Sequence, residues 1–123
     1  MQLTRDTSDA NVIHAWERGR VRVGETWIEG PLIVAADRII AWDVAGPHAL
    51  AAADLAPAIE LEPEVILVGT GAELLLPDVG LMAELAAQGI GLEIMSTPAA
   101  CRTYNVLVNE RRRVVAALFN ERR

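Results

Sequence analysis

A chain of 123 residues, 52% hydrophobic and 23% charged, has the composition of one globular domain, long enough to bury about two-thirds of the surface its unfolded chain exposes. Its formal charge of −6 argues against general nucleic-acid binding, which needs a concentrated positive field. All eleven basic residues are arginine, which excludes Schiff-base and Walker-type lysine chemistry, and one cysteine with two histidines is too little for a zinc cluster.

The start, MQLTRDTSDAN, lacks the basic and apolar regions of a signal peptide, and no apolar run reaches membrane-spanning length. The expectation is an untargeted, cytoplasmic protein with no membrane insertion, whose residues 1–11 form a flexible start. Residues 12–45 read as an antiparallel meander: VIHAWERG, RVRV, TWIEGPLIVAA and IIAWDV, separated by turn signals at Gly24-Glu25 and Asp37-Arg38. Gly30-Pro31 should bend the third of these runs. Trp16, Trp27 and Trp42 fall on separate strands, where large aromatics cover a core more often than they form a ligand platform.

Residues 46–63 are alanine-rich and broken by Pro47, Pro57 and Pro63, which predicts a connection with a short helix near 49–55. From 64 to 119 the rhythm alternates. VILVG is a strand; DVGLMAELAAQG carries Val79, Met82, Leu85 and Ala86 at helical spacing and stops at Gly89. GLEIM is again a strand, TPAACRTYNVLVNERR a helix and VVAALF a last strand, with a tail at 120–123. The expected fold is α/β: a single compact domain with a mixed sheet, an N-terminal antiparallel meander and a C-terminal β-α-β-α-β unit with right-handed crossovers.

The stretch MSTPAACRTYN holds the lone cysteine and the lone tyrosine. Thr97 is placed to cap a helix and Pro98 to open its first turn. Ala100, Tyr104, Leu107 and Val108 form an inward stripe, flanked by Cys101 and Asn105, and Arg111 to Arg113 fall at the carbonyl end of the dipole. Cys101 has two readings. As a nucleophile its thiol would be eased towards ionisation by the helix N-terminus and Arg102; as a small buried hydrophobe it would be inert, and this second role is the commoner one. The sequence places no histidine to serve as its base.

Gly69-Thr70-Gly71 follows the first strand of the alternating unit, where parallel sheets put ligand loops. Together with Thr97 and Arg102 it could hold a small phosphate or carboxylate, although a plain tight turn explains the glycines as well. Glu93 interrupts an apolar strand and would need a partner if buried, Arg102 first; an edge position would remove the need. NERRR and the terminal ERR read as solvated faces. Nothing calls for a cofactor or a metal.

PEVILVGTGAELLLP and GIGLEIMSTPAACRTYNVLVNERRRVVAALF together resemble the small domain family that includes the mitochondrial respiratory complex I assembly factor three and uncharacterised bacterial and archaeal relatives. The resemblance runs from about Trp16 to Phe119. It is most specific at Gly69-Thr70-Gly71, Glu93, Thr97, Ala100-Cys101, Arg102-Thr103, Asn105 and the segment from Arg112 to Leu118. It implies a compact α/β domain of the family's own fold and, in the mitochondrial branch, a non-enzymatic part in assembling a multisubunit complex. It carries no catalytic residues, and this chain shows no mitochondrial presequence.

Two readings of function follow. The leading one is a non-catalytic protein-binding or assembly module with an unidentified protein partner. The alternative is a small-anion binder or enzyme using the crevice between Gly69-Thr70-Gly71 and Thr97, with Arg102 as counter-ion and Cys101 as nucleophile. Self-association as a homo-oligomer is compatible with both.

Overall fold

The computed structural model describes residues 9–121. Most of the flexible start and the last two residues of the tail read from the sequence lie outside the described residues. The meander is real, but it is shared between two sheets. β1 (Ile13–Glu17), β2 (Arg20–Val23) and β3 (Thr26–Glu29) form a three-stranded antiparallel sheet. Gly24, at φ 61, supplies the left-handed turn between the second and third strands. Gly30, at φ 81, then swings the chain out of that sheet, so the run expected as one bent strand becomes two.

β4 (Leu32–Ala35) and β5 (Arg38–Ala41) belong instead to a five-stranded sheet. After them come 3₁₀ turns at Pro47–Ala49 and Ala52–Leu55 and a four-residue helix, α1 (Ala56–Ile59). Helical structure thus extends beyond the expected 49–55, because Pro57 sits in the first turn of α1, where its missing N–H would have had no partner in any case. β6 (Val65–Gly69), α2 (Gly80–Ala86), β7 (Gly91–Met95), α3 (Thr97–Asn109) and β8 (Val114–Leu118) complete the alternating unit.

The five strands lie in the order β5-β4-β8-β6-β7. β8 is inserted between the hairpin and β6, antiparallel to β4 and parallel to β6, while β6 and β7 are parallel. This sheet divides two cores by the alternation of its side chains. Ile33, Ile66, Val68, Val115 and Ala117 face the turns, α1 and α2; Leu32, Val34, Leu67, Ala116 and Leu118 face α3 and the three-stranded sheet. With both faces covered, β6 and β8 are buried throughout, which is why they read as unbroken apolar runs. Each fully buried leucine or valine in them contributes about 1.5–3 kcal/mol of transfer free energy.

The two covering helices differ from expectation in one place. α3 buries Ala100, Cys101, Tyr104 and Val108, close to the predicted stripe. α2 buries Leu81 and Leu85, whereas Val79 is 90% and Met82 48% exposed. Leu81 and Leu85, at i and i+4, set the buried face, and Val79, Met82 and Ala86 of the expected stripe fall outside it. Trp42 enters the core on the α2 side and packs on Phe119, with ring centroids 4.7 Å apart, while Trp16 packs on the other side of the sheet. The tryptophans share no platform.

Candidate functional site

The carboxyl ends of β6 and β8 and the start of α3 meet at Thr97, which is fully buried. Ser96, not Thr97, is the cap: its extended backbone precedes the helix and its Oγ accepts the Ala99 N–H at 3.4 Å. Either hydroxyl residue suits a cap; what decides is that the Thr97 hydroxyl is engaged elsewhere. Thr97 Oγ1 donates to the Phe119 carbonyl at 2.8 Å and accepts the Gly71 N–H at 2.8 Å. Its own N–H reaches the Gly71 carbonyl at 2.7 Å. A Cβ on Gly69 would stand 2.8 Å from Thr97 Cα, so only glycine permits this approach.

The expected neighbours are therefore together, in a closed junction. The Thr70 N–H donates to Met95 O at 2.9 Å and the Phe119 N–H to Gly69 O at 2.8 Å. Thr70 Oγ1 donates to Glu73 O at 2.6 Å and accepts the Leu75 N–H at 3.0 Å. The N–H groups of Thr70 and Gly71 that the crevice reading offers to an anion thus already have acceptors within the protein.

One turn into α3, Cys101 is buried, and desolvation pushes its thiol up to about 12, against a smaller opposing effect of Arg102. Tyr104 is fully buried and its hydroxyl donates to Asn11 O at 2.8 Å. Burial first, then the Asp37 carboxylate, raise it well above the ordinary phenol value. Asn105 clamps β1 where the register of that strand shifts: Oδ1 accepts the Ile13 N–H at 2.9 Å and Nδ2 donates to Ile13 O at 2.7 Å. Thr103 is half-buried on the same helix. Asn105 thus bonds α3 to the three-stranded sheet, and Tyr104 bonds it to the chain just before β1.

Outside the junction lies a shallow cleft of about 350 Å³ lined by His14, Trp16, Pro98, Cys101, Arg102 and Asn105, with Ile13 and Ala15. It brings His14 beside the cysteine helix, a meeting invisible in sequence because β1 lies 92 residues from its helical partner. Glu93 is exposed on β7, an edge strand, and among the described residues no ion pair joins it to Arg102. Arg112 pairs with Glu64 at 3.2 Å instead. The Arg112 hydrogen bond, then the Arg113 N–H, hold the Glu64 carboxyl below its ordinary value.

Asn120 was not singled out by the sequence. It is 3% exposed, its Nδ2 donates to Gly30 O at 3.2 Å, and its Oδ1 has no partner among the described residues. It lines a cleft of about 510 Å³ between the strand ends and residues 44–48. Among the described residues no group of three or more His, Cys, Asp or Glu side chains could hold a metal ion, and no helix is long and apolar enough to cross a membrane.

A mixed five-stranded sheet between a layer of α3 with the three-stranded sheet and a second helical layer, pinned at Thr97, defines a small α/β domain class shared with solved structures. A crystal structure of a Bordetella parapertussis protein is 37% identical, with a TM-score of 0.84 over 91% of this chain and 97% of that one. The chain belongs to the family described as "Protein of unknown function (DUF498/DUF598)", which matches residues 13–119. It is similar to the zebrafish NADH dehydrogenase [ubiquinone] 1 alpha subcomplex assembly factor 3, at 30% identity over 95% of this chain and 68% of that protein. It is also similar to an uncharacterised Rhodobacter capsulatus protein, at 36% identity over 87% of this chain and 82% of that one.

Proposed function

We propose that the chain is a non-catalytic protein-binding module of the assembly-factor kind, working in the cytoplasm on a multisubunit protein partner. The observation that carries this reading is the use made of its polar signature residues. Thr97, Tyr104 and Asn105 hold strand ends and layers together, and Cys101 stays a neutral, buried thiol at physiological pH. The names of the assembly-factor relatives support the same direction. Affinity purification of the tagged chain from its native host tests it, with a reproducible stoichiometric protein partner expected. Repeated purification without any partner, beside a saturable small-molecule ligand in a metabolite screen, sinks it.

The second reading keeps a small anion, now favoured by a particular observation: His14 and the exposed Arg102 line one cleft beside Cys101. Thermal shifts with inorganic phosphate and with small carboxylates address it. A saturable stabilisation abolished by Arg102→Ala supports this reading, and complete insensitivity removes it.

A further inference from the structure

Seven large apolar side chains are exposed among the described residues, and five of them, Leu74, Leu75, Leu76, Val79 and Met82, lie between 74 and 82. This segment leaves the Thr97 junction at Gly71 and runs into α2, on the sheet face opposite α3. It stays exposed because α2 buries only Leu81 and Leu85, so that Met82 meets solvent where another element would otherwise pack. Leu75 also lines the cleft of about 510 Å³, whose apolar walls include Val44, Pro47 and Phe119. Scattered exposed leucines need no explanation, but a cluster of them beside an apolar cleft does.

Charge divides along the same line. From residue 39 to residue 101 the chain carries nine carboxylates and no arginine or lysine. The layer built from residues 43–62 and 70–90 holds seven of them, and Glu73, Asp78 and Glu84 stand exposed among the leucines. The opposite layer, residues 13–30 and 97–113, holds seven arginines against four carboxylates. The 74–82 end of the former layer is therefore apolar and acidic with no cation in its own segment, whereas Arg111, Arg112 and Arg113 share a cleft with Glu60 and Glu62 where β6 and β8 begin.

We propose that the 74–82 segment and the cleft beside it form the docking surface for a basic, amphipathic segment of a partner protein. An apolar side chain of the partner seats in the cleft against Leu75, and its arginine or lysine residues meet Glu73, Asp78 and Glu84. This inference rests on the protein-binding reading and adds the surface and the partner's chemistry. The acidic rim repels phosphate and anionic headgroups, which favours a protein over a bilayer. A second copy could offer its arginine layer, but that layer exposes only Val106 among large apolar residues and has little to set against five.

The test places a photo-cross-linking phenylalanine analogue in the full chain at position 76, at position 79 or, as a control, at position 106, and irradiates cells of the native host. Adducts are then sequenced by mass spectrometry. The proposal expects adducts at 76 and 79 but not at 106, to one protein, through a peptide that is apolar and net positive. It also expects at least a tenfold loss of adduct in the triple variant Glu73→Gln, Asp78→Asn, Glu84→Gln, with an unchanged melting temperature. An acidic cross-linked peptide, a lipid adduct, an adduct with this chain itself, or a yield indifferent to the triple variant overturns it. Adducts at 106 alone overturn the surface and leave the protein-binding reading standing. No adduct at any position overturns the surface when affinity purification still returns a partner, and both when it returns none.

Discussion

The two layers that cover the central sheet are held by different means. On one side α3 is fixed by side-chain hydrogen bonds to specific partners: Thr97 to Phe119 O, Tyr104 to Asn11 O, and Asn105 to both the N–H and the carbonyl of Ile13. On the other, α1 and α2 are short and pack through the apolar side chains of Leu55, Ala58, Leu81 and Leu85, with directional side-chain bonds in the turns beside them, such as Trp42 Nε1–H to Asp54 O, and five large apolar side chains stay in solvent between 74 and 82. Directional bonds place a layer in one position; non-directional burial leaves a layer free to expose apolar surface. The scarce polar residues that look like chemistry therefore lie in the first layer, and most of the exposed large apolar side chains among the described residues lie on the second.

The contrast breaks most severely at Gly69. Gly69→Ala forces a Cβ against Thr97 Cα at 2.8 Å and is expected to destabilise by about 3 kcal/mol, read from urea denaturation. A loss under half a kilocalorie, roughly the level of a neutral surface change, would mean the junction is not tightly packed. Thr97→Val keeps the shape but leaves the buried Phe119 carbonyl without its donor, a loss of about 2 kcal/mol. Asn105→Ala releases β1 at a cost of about 1–2 kcal/mol, and the Ile13 amide should then exchange with deuterium faster than amides of β6. Uniform acceleration across the chain would assign Asn105 to global stability instead.

Smaller effects sharpen the comparison. Glu64 is held below its ordinary value by Arg112, so its stabilisation is present above that ordinary value and disappears as pH falls through the folded value. The stability gap between the parent chain and Glu64→Gln should accordingly be open at neutral pH and close in acid; a gap that widens in acid contradicts the assignment. Smallest of all, Leu76→Ser, at a site 71% exposed, should change unfolding free energy by no more than about 0.5 kcal/mol. A larger loss would show that the segment packs against its own chain.

What was legible in the sequence follows the same division. The unbroken runs VILVG and VVAALF announce strands covered on both faces, and STP announces the start of α3, because each signal depends on neighbouring residues alone. The insertion of β8 between β4 and β6 was not legible, since pairing joins residues over 80 positions apart in the β4 register. Thr97 looks like a cap in the sequence because its acceptor, Phe119 O, comes 22 residues later. The stripe Val79, Met82, Leu85, Ala86 and the pair Leu81, Leu85 both fit helical spacing, and only the packing of α2 on the sheet selects the second.

On the proposed reading the reactive-looking segment is architecture, and the Cys101 thiol reports on it most directly. With burial raising it to about 12, the single thiol should remain unlabelled by a disulfide reagent at neutral pH in the native protein. Its labelling rate should then rise only with urea, in step with unfolding followed by circular dichroism. Stoichiometric labelling of the folded chain within seconds at neutral pH would contradict the account and return Cys101 to the list of nucleophiles.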